Sequence, residues 1–370
     1  MVIGVDIRLL AKGNPSGVSW YLRRLLDHLV VVDEENHYVL FFNSWHQPPL
    51  FLKDWASRPN VTVKIWRWPN KLLTAALLFA RRPRLDRLIG GCDVFWSPNI
   101  NFCSVSKQVK FVATIHDASF IRYPEFFTAK DRLRYRLINV ARYVRRADRV
   151  VTISQSSRRE IVRTFSYLAD KIAMVYPGVE VSAAAAPING LPDRFLLTLG
   201  TREPRKNLLG TIMAFEELRR RGPDIDLVIA GGQGWHNHEV TRHLGRSAVR
   251  NHIHIVGYVS EAQKHWLYQQ AAAFVYPSWY EGFGFPPLEA MAANCPVVSS
   301  IAYGTAEISG PAALLVAPHR VDQLAEAVEL ALGPQRERLI NQGRQRVADF
   351  SWSAAAAQMK KVFADVCALS

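Results

Sequence analysis

Two glutamates that lie eight positions apart enclose a segment rich in glycine and proline, YEGFGFPPLEA. Proline is tolerated in the first turn of a helix, so Pro286 and Pro287 predict a helix that contains Glu289 and a preceding loop that contains Glu281. An ionised carboxylate suits the vicinal hydroxyls of a ribose or a hexose. The backbone N–H groups of residues 282–284 are expected to bind a phosphate or sugar oxygen. This spacing favours a ligand that carries both sugar and phosphate.

Two adjacent cations, Arg205 and Lys206, follow the apolar run RFLLTLG in the segment TREPRKN. They suit a diphosphate, because a guanidinium binds oxygens as a fork and an ammonium binds them as a point charge. Asn207 is predicted to cap the helix that follows and to fix the loop. A solvated surface charge is the weaker alternative. The sequence therefore predicts a nucleotide-sugar site, in which one glutamate binds the sugar, the other binds a ribose and the cations bind the phosphates between them.

The first half of the chain offers a second group of polar residues. His116 and Asp117 follow the apolar segment ATI, and at the end of a strand they can position a hydroxyl or stabilise developing charge. A histidine satisfied in the core is the equal alternative. Gly13 and Gly17 lie in a loop that leads into a helix, where N–H groups and the helix end can approach an anion closely. An ordinary turn is the alternative there.

Some pairs of residues have the spacing of metal ligands. Asp224 and Asp226 form a D-x-D, but they begin a predicted strand instead of following one, and the loop with Arg205 already supplies positive charge. No cysteine or carboxylate stands at zinc spacing from the histidine pairs, so solvated or strand-edge histidines are expected. Neither a metal nor a cofactor is expected. The histidine pairs are His236 with His238 and His252 with His254.

Short β-branched or aromatic runs alternate with longer helical patterns along the chain, which indicates α/β architecture with parallel sheets. Residues 176–193, YPGVEVSAAAAPINGLPD, carry neither period and predict a linker. Two Rossmann-like domains that face a central cleft are expected, at residues 1–178 and 179–350, with a closing segment at 351–370. The predicted strands are VIGVDI, HYVLFF, VTVKIW, DVFWSP, KFVATIHD and RVVTIS in the first domain and RFLLTLG, DLVIAGG, IHIVGYV, AAFVYPS, CPVVSS and ALLVAP in the second.

The composition is typical of a globular protein with an unusually basic surface. Its 370 residues, 49% hydrophobic and 21% charged, favour two domains over a disordered or fibrous chain. A net charge of +14 attracts phosphates, nucleic acid or an anionic membrane. The four cysteines lack disulfide-framework or zinc spacing, which fits a reducing cytoplasm. The first residues, MVIGVDIRLL, predict a strand and not a signal peptide.

An apolar segment at residues 72–80, LLTAALLFA, is about half the length of roughly 20 residues that a membrane-spanning helix needs. Because Lys71 and several arginines flank it, we expect either a helix that lies flat on an anionic membrane or an ordinary buried helix. The two interpretations are equally open.

A basic helix is predicted for residues 131–144, in the segment KDRLRYRLINVARYVRRADR. Its arginines are expected on the face opposite the buried stripe. They are either solvated or in contact with anionic lipids or a lipid diphosphate acceptor, and no recognised nucleic-acid-binding module accompanies them. The expected buried stripe is Leu133, Leu137, Val140 and Val144.

These segments together resemble one enzyme family. The E-x7-E from Glu281 to Glu289, with PSWY before it and AMA after it, resembles the signature of the family 4 retaining glycosyltransferases with the GT-B fold. GTREPRKN resembles the diphosphate-binding loop of that family, and IHD resembles its acceptor-side histidine. Further matches in the same order are ADRVVTISQSSRREI, VYPGV, VIAGGQGW, HIVGYVS and GTAEISGPAALLV. The closing SWSAAAAQMKKVFADV resembles the C-terminal helix that crosses back onto the first domain.

The resemblance implies a role for each matching position. Glu281 would contact the donor hexose, Glu289 the ribose, and the backbone near Tyr258 the nucleobase. Thr201 stands where many relatives have an arginine, so that role passes to Arg202 or Arg205. The implied catalytic residues are His116, Asp117, Arg205, Lys206 and Glu281. The implied donor-binding residues are Gly17, Arg202, Arg205, Lys206, Tyr258, Val259, Glu281, Gly282, Phe283, Gly284 and Glu289.

The resemblance also implies an activity. A retaining, metal-independent hexosyltransferase is expected, with GDP-mannose favoured over a UDP- or dTDP-sugar as donor and a glycan or lipid-linked glycan as acceptor. Its place would be cell-surface polysaccharide assembly, in the cytoplasm and in peripheral contact with the inner face of the anionic membrane. The rival classes are a glycoside hydrolase, a nucleotide-sugar sensor, and a basic nucleic-acid- or membrane-binding protein without catalysis. No nucleic-acid partner is expected.

Overall fold

The computed structural model describes residues 1–11, 16–180, 184–235 and 237–368. Packing divides the chain into two units, a first unit of Met1–Gly178 with Ser351–Ser370 and a second unit of Val179–Phe350. Each unit contains one parallel sheet and its own hydrophobic core. Gly13, which belongs to the glycine loop considered above, and His236 lie outside the described residues, as do residues 181–183 of the predicted linker.

The first unit is built on parallel strands that follow the short apolar runs of the sequence. The strands are β1 Val2–Asp6, β2 His37–Asn43, β3 Val61–Trp66, β4 Val94–Ser97, β5 Lys110–Thr114, β6 Arg149–Thr152 and β7 Ile172–Met174. Their order in the sheet is β3-β2-β1-β4-β5-β6-β7. All six predicted strands are confirmed, and β7 is one that the pattern did not predict. The order reverses between β1 and β4, so loops at the carboxyl ends of these strands diverge there.

The helices of the first unit connect these strands. They are α1 Gly17–Val32, α2 Phe51–Ala56, α3 Asn70–Ala75, α4 Leu85–Leu88, α5 Ser119–Arg122, α6 Ala129–Ile138, α7 Val140–Arg146 and α8 Gln155–Thr164. A capping box begins α1, since Ser19 N donates to Ser16 Oγ at 3.3 Å and Ser16 N donates to Ser19 Oγ at 2.6 Å. Leucines at helical spacing then bury one face of α1. They are Leu22, Leu25, Leu26 and Leu29.

The prediction of one basic helix over residues 131–144 is wrong in two respects. Asn139 adopts a left-handed conformation with φ of 54° and ends α6, and its side chain accepts a hydrogen bond from Arg142 N at the start of α7. Asparagine tolerates this conformation better than most residues. Leu133 and Leu137, expected in the buried stripe, are 55% and 44% exposed, whereas Val140 and Val144 are buried. An apolar stripe in the sequence does not say whether a neighbour covers it.

The apolar segment at residues 72–80 has both a buried and an exposed face. It forms the end of α3 and a π-helical turn, Ala76–Ala80. Leu73 and Leu77 are buried in the core, but Leu72 and Phe79 are 66% and 84% exposed. The buried-helix interpretation therefore accounts for one face only. No helix in the described part of the chain is long and apolar enough to cross a membrane.

The second unit repeats the strand order of the first. Its strands are β8 Phe195–Leu199, β9 Asp226–Ala230, β10 Ile253–Gly257, β11 Ala273–Tyr276, β12 Val297–Ser300 and β13 Ala313–Val316. The sheet order is β10-β9-β8-β11-β12-β13, with all neighbours parallel, and all six predicted strands are confirmed. The order reverses between β8 and β11. Ligand loops are expected at this switch point.

The helices of the second unit complete the alternation of strand and helix. They are α9 Leu208–Arg220, α10 His238–Leu244, α11 Glu261–Gln270, α12 Phe285–Ala292, α13 Tyr303–Ser309, α14 Val321–Leu332 and α15 Arg336–Val347. The core under the sheet includes Ile212 and Phe215 of α9 and Leu324 and Val328 of α14. The described residues of the predicted linker, 176–180 and 184–193, form no helix or strand.

The last helix, α16 Trp352–Ala368, belongs to the first unit. Its Trp352 ring lies 6.1 Å from that of Tyr21 in α1, and its Phe363 ring lies 5.8 Å from that of Trp96 in β4. A Cβ on Gly178 would lie 2.2 Å from the backbone nitrogen of Trp352, so only glycine allows this close approach.

Candidate functional site

The loops that follow β8 and β11 hold the predicted cations and Glu281. Since β8 and β11 are neighbours at the switch point of the sheet, their carboxyl ends bring these loops together. A backbone hydrogen bond of 2.8 Å from Trp279 N to Arg205 O joins the two loops directly. The sequence order of strand and loop thus produces one site from residues more than 70 positions apart.

Asn207 anchors the first of these loops, but not in the predicted way. It precedes α9 with a left-handed φ of 53°, and its side chain makes no capping hydrogen bond. Its Nδ2 instead donates to the carbonyl oxygens of Pro277 at 3.1 Å and Pro318 at 2.7 Å. A Cβ on Gly210 would lie 2.7 Å from the Asn207 side chain, so this glycine leaves room for the anchor. Asn207 therefore stands at the predicted capping position and fixes the loop, but the prediction that its side chain caps the helix is wrong, because that side chain ties neighbouring loops together.

The glycine-rich segment after β9 supports the same loop. A Cβ on Gly231 would lie 1.9 Å from the carbonyl oxygen of Gly200, and one on Gly234 would lie 2.1 Å from that of Arg202. Arg202 N donates to Gly232 O at 3.1 Å. These glycines are therefore required because two backbone segments lie against each other.

The two predicted cations and Glu281 form one buried ionic network. Arg205 Nη1 donates to Glu281 Oε2 at 2.6 Å, and Lys206 Nζ donates to Glu281 Oε1 at 2.7 Å. The other edge of Arg205 donates to Glu203 Oε1, with its Nη2 at 2.6 Å. Tyr276 donates to Glu281 Oε1 at 2.9 Å and accepts a hydrogen bond from Lys206 Nζ. Glu281 is 7% exposed, so the network neutralises a carboxylate that burial alone would penalise.

The charges of this network fix the protonation of Glu281. Burial raises the pKa of its carboxyl, but the charges of Arg205 and Lys206 and the hydrogen bonds from Lys206 and Tyr276 outweigh burial and lower that pKa to about 2. Burial also lowers the pKa of Lys206, against the opposing effect of Glu281. Two carboxylates, Glu203 and Glu281, balance the two cations. A diphosphate that binds here must compete with them for Arg205 and Lys206.

The segment after Glu281 has the geometry that the prolines predicted. Glu281 lies in the loop, and Gly284, with φ of 106°, precedes α12. Proline lacks an N–H, so Pro286 and Pro287 remove two donors from the first turn of α12. Donors to a ligand oxygen must then come mainly from residues before the helix. Phe283 is buried, its ring 5.7 Å from that of Phe350, so its backbone and not its side chain can meet a ligand.

Gly304 holds the loop of Glu281 from behind. Its N–H donates to the carbonyl oxygen of Glu281 at 3.0 Å. A Cβ at this position would lie 2.6 Å from the carbonyl oxygen of Gly282. This explains why the segment GTAEISGPAALLV begins with glycine.

Glu289 lies on α12, as predicted, and has its own partners. Its Oε1 accepts a hydrogen bond from Lys264 Nζ at 2.8 Å, and its Oε2 accepts one from Tyr268 Oη at 3.0 Å. Lys264 also pairs with Glu261 at 2.9 Å. Burial lowers the pKa of Lys264, but the two carboxylates outweigh burial and raise it above its usual value. Lys264 therefore stays charged and orients the Glu289 carboxylate.

The other predicted donor-binding residues of the second unit lie at the same edge of the sheet. Arg202 is partly buried, and its Nε has no hydrogen-bond partner among the described residues. A buried guanidinium nitrogen without a partner is available to an anion. Tyr258 and Val259 follow β10, and the Tyr258 side chain is 63% exposed.

The predicted residues of the first unit are arranged around His116. Its Nε2 lies 2.9 Å from the carbonyl oxygen of Pro98. A carbonyl oxygen can only accept, so Nε2 is the donor, and a neutral ring then presents Nδ1 as an acceptor. Burial lowers its pKa and favours this neutral form, outweighing the hydrogen bond to Pro98 and the charge of Asp117. The ring of Tyr21, from the helix that Gly17 begins, meets His116 edge-on at 4.9 Å. Asp117 Oδ1 accepts from both the N–H and the hydroxyl of Ser119, at 2.8 and 2.5 Å.

The residues with metal-like spacing hydrogen-bond to one another or to an arginine. Asp226 begins β9, and its two oxygens accept from His252 Nδ1 at 3.0 Å and His254 Nε2 at 2.6 Å. The Asp224 side chain is 96% exposed and pairs with Arg219. Within the described ranges, no group of three or more His, Cys, Asp or Glu residues could hold a metal ion. His238, the described member of its pair, is the first residue of α10.

Sequence reasoning missed several residues of these networks. Tyr276 lies five positions before Glu281, and Glu203 lies two positions before Arg205. The sequence pattern gave no reason to distinguish Tyr276 from other strand residues or Glu203 from other turn residues. Lys264 and Tyr268 share one face of α11 at helical spacing. That spacing is the one signal that could have indicated a common partner.

Comparison with known proteins identifies relatives of both units. Residues 15–183 match the family profile described as Glycosyltransferase Family 4, and residues 185–346 match that described as Glycosyl transferases group 1. O-antigen chain mannosyltransferase B of Escherichia coli is 33% identical over 274 residues, which cover 70% of this chain and 71% of that protein. Serotype-specific mannosyltransferase WbdA of Escherichia coli is 28% identical over 266 residues, which cover 67% of this chain and 32% of that longer protein.

Solved structures show the same fold. Anabaena HepE in complex with UDP and glucose superimposes with a TM-score of 0.71 at 16% identity, covering 98% of this chain and 99% of that one. The fold predicted from the sequence, the α/β GT-B fold with two Rossmann-like domains, is confirmed.

Proposed function

We propose that this chain, which belongs to the glycosyltransferase family described as glycosyl transferases group 1, transfers mannose from GDP-mannose to a glycan or lipid-linked glycan. The observation that carries the proposal is the cluster of Arg205, Lys206 and Glu281 at the carboxyl ends of β8 and β11. It offers cations for a diphosphate beside a carboxylate for sugar hydroxyls. The names of the similar mannosyltransferases favour mannose as the sugar.

Donor binding is proposed to rearrange the charges of this cluster. The diphosphate competes with Glu281 and Glu203 for Arg205 and Lys206, while Arg202 brings a nitrogen that bonds to none of the residues that the structure describes. As the phosphate oxygens take over these donors, the Glu281 carboxylate becomes available to a hexose hydroxyl. The ion pairs thus keep a buried carboxylate ionised until the sugar arrives.

The proposed reaction retains the anomeric configuration. The bond between C1 of the mannose and the diphosphate oxygen breaks, and the acceptor hydroxyl oxygen forms the new bond to C1 on the same face. The leaving phosphate oxygen takes the hydroxyl proton, so a separate protein nucleophile is not required. Lys206, Arg205 and Arg202 stabilise the negative charge that develops on the leaving GDP. Because these cations supply the charge, the proposed reaction is independent of a metal ion.

The remaining donor contacts are proposed from the same edge of the sheet. Glu289, oriented by Lys264, would bind the ribose hydroxyls, and the exposed Tyr258 ring with the backbone of Val259 would meet the base. The N–H groups of residues 282–284 would bind phosphate or sugar oxygens. In the first unit, the Nδ1 acceptor of His116 is proposed to bind a sugar hydroxyl. Asp117, the next residue in the chain, and Gly17, the first residue of the helix whose Tyr21 ring meets His116, are proposed to lie nearby.

The proposed place of the reaction is assembly of a cell-surface polysaccharide, such as the O-antigen named in the similar mannosyltransferase. We further propose that the chain works in the cytoplasm, in contact with the inner face of the cell membrane. A lipid-linked acceptor would then be presented at that surface.

Thermal unfolding in the presence of nucleotides tests the donor. GDP and GDP-mannose are expected to raise the unfolding temperature of the purified protein, and EDTA is expected to leave the shift unchanged. HepE was solved with UDP and glucose, so a UDP-sugar is the second candidate. A shift selective for UDP would replace the proposed donor. The absence of any nucleotide shift would overturn the transferase proposal.

A matched pair of variants places the nucleotide. Arg202→Met should reduce the shift caused by GDP, because its guanidinium nitrogen is available to the diphosphate. Arg242→Met, an exposed arginine of the same unit, should keep the full shift. Incubation with GDP-mannose and a mannose-ended acceptor should release GDP in step with acceptor elongation. Release of free mannose from the acceptor without GDP would indicate a glycoside hydrolase.

A further inference from the structure

A cavity in the first unit combines an apolar lining with a rim of cations. It has a volume of about 830 Å³ and lies between the π-helical turn Ala76–Ala80 and the helices α6 and α7. Both basic segments that the sequence analysis singled out therefore contribute to one surface. The apolar lining includes Leu77, Leu78, Phe102, Phe111, Leu133 and Leu137.

Several cations of this rim have side chains that bond to none of the described residues. Arg81, Lys107, Arg136 and Arg142 line the cavity, are exposed, and form no side-chain hydrogen bond or ion pair with any residue that the structure describes. Arg146, by contrast, donates to two backbone carbonyl oxygens and pairs with Asp148. Within residues 129–146 the chain has seven Lys or Arg and one Asp. The rim thus carries uncompensated positive charge.

Apolar side chains beside these cations face solvent. Helix α6 has no buried residue, and its Leu133 and Leu137, one turn apart, are 55% and 44% exposed. On the neighbouring helical segment Leu72 and Phe79 are 66% and 84% exposed. Exposure of large apolar groups next to cations is costly in water and is the arrangement that binds amphiphilic anions.

We propose that this surface docks on an anionic phospholipid bilayer, with lipid phosphates on Arg81, Arg136, Arg142 and Lys107 and the upper parts of the lipid chains on Leu133, Leu137 and Phe79. Charge complementarity and aliphatic side chains at the rim favour a lipid over a nucleic acid, which offers phosphates but no hydrocarbon for the leucines. The inference rests on the proposed location at the membrane and names the surface that would hold the protein there. It places the docking surface entirely on the first unit.

Flotation of the full-length protein with vesicles tests the surface. Wild type should float with vesicles of phosphatidylcholine that contain phosphatidylglycerol and remain unbound with phosphatidylcholine alone. Arg136→Ala combined with Arg142→Ala should lower the vesicle partition coefficient roughly 30-fold, at about 1 kcal/mol for each cation. Leu133→Ser combined with Phe79→Ser should also lower the vesicle partition coefficient. This loss should be more visible at high salt, because salt screens the contribution of the charges.

A control pair separates this surface from the overall charge of +14. Arg242→Ala combined with Arg338→Ala removes the same charge from exposed positions of the second unit and should change the partition coefficient by less than about three-fold. Equal losses in both pairs would overturn the proposal. So would release of the protein from the vesicles by inorganic phosphate at the concentration of the lipid phosphate. Release by a DNA duplex that depends on Arg136 and Arg142 would also overturn it.

The nucleotide test keeps this inference separate from the proposed reaction. The Arg136→Ala, Arg142→Ala variant should still be stabilised by GDP, because both residues lie outside the second unit. Loss of flotation with an intact nucleotide shift supports the docking surface. Failure of wild type to float, with the nucleotide shift intact, would overturn the docking surface and leave the transferase proposal standing.

Discussion

The phenol of Tyr276 donates a hydrogen bond of 2.9 Å to Oε1 of Glu281, the same oxygen that accepts one from Lys206. Tyr276 is the last residue of β11, so the rigid sheet positions the loop carboxylate. Burial and the charge of Glu281 raise the pKa of Tyr276 well above its usual value, and the phenol keeps its proton. It is therefore a permanent donor to Glu281.

Tyr276→Phe should weaken both stability and turnover. Loss of a hydrogen bond to a buried charge is expected to lower the free energy of unfolding by about 2 kcal/mol. Misplacement of Glu281 should lower kcat by about ten-fold, which corresponds to 1.4 kcal/mol. Denaturant unfolding and steady-state kinetics measure the two effects.

A second buried tyrosine provides the control for Tyr276→Phe. Tyr38 in the first unit donates to Asp33 Oδ2 at 2.5 Å. Tyr38→Phe should cost similar stability and leave kcat unchanged. If both variants lose kcat in proportion to stability, Tyr276 has no role in positioning Glu281.

Breaking the ion pairs should abolish most turnover. Glu281→Ala or Lys206→Ala leaves an uncompensated buried charge and removes a group proposed to contact the donor, so kcat/KM should fall by at least about 100-fold. The double variant Lys206→Met, Glu281→Gln should recover stability because it removes both charges, but it should stay inactive. Recovery of activity in the double variant would show that the pair is structural. Measurements of unfolding and of GDP release distinguish the outcomes.

The depressed pKa of Glu281 predicts an acid-dependent stability. Its carboxyl titrates at about 2 in the folded chain against 4.5 ordinarily, so the folded state binds the proton less readily than the unfolded state. The stabilisation is complete above pH of about 4.5 and is lost as the pH falls towards about 2. Wild type should lose more free energy of unfolding over this range than Glu281→Gln. Parallel pH profiles for the two proteins would contradict the assigned ionisation.

Two glycines should respond differently to alanine. A Cβ on Gly304 would lie 2.6 Å from the Gly282 carbonyl, so Gly304→Ala must displace the loop of Glu281, with a cost of about 1–3 kcal/mol and loss of activity. At Gly17, the first residue of α1, no atom of the described residues beyond its own helix and chain neighbours lies within 4 Å of such a Cβ, and stability should be unchanged. If Gly17→Ala also keeps its donor and acceptor KM values, its proposed approach to a ligand is wrong.

The sequence predicted the placement of Glu281 and Glu289 because proline and glycine restrict the backbone locally. The same holds for the strands, whose apolar runs are short and bounded by turn residues. Asn207 is different: its residue type and position fit a helix cap, yet its side chain accepts no capping hydrogen bond and turns its Nδ2 to the carbonyl oxygens of Pro277 and Pro318. Those carbonyls come from distant segments, which no local pattern reveals. The pairing of Arg205 with Glu281 and that of Glu289 with α11 also join distant segments, whereas Glu203, two positions before Arg205, was missed although it is local.

The exposure of Leu133 shows a second limit. Helical spacing of leucines predicts an apolar face, and α6 has that face. Whether it is buried depends on a neighbouring element, and in the described first unit no residue of α6 is buried. The +14 charge indicated an anionic partner, but only the arrangement of the cavity rim with Leu133 and Leu137 suggests where it binds.

Asp224→Ala tests whether the D-x-D serves a metal. Asp224 is almost fully exposed, and its ion-pair partner Arg219 also donates to the carbonyl oxygen of Ile225, so kcat/KM should change by less than about two-fold. Asp226→Ala should lower stability, because it removes the acceptor of His252 and His254, while activity in EDTA stays equal to activity without it. A transferase that Asp224→Ala inactivates and that manganese or magnesium restores would replace the proposed cationic stabilisation of the leaving group with a metal site.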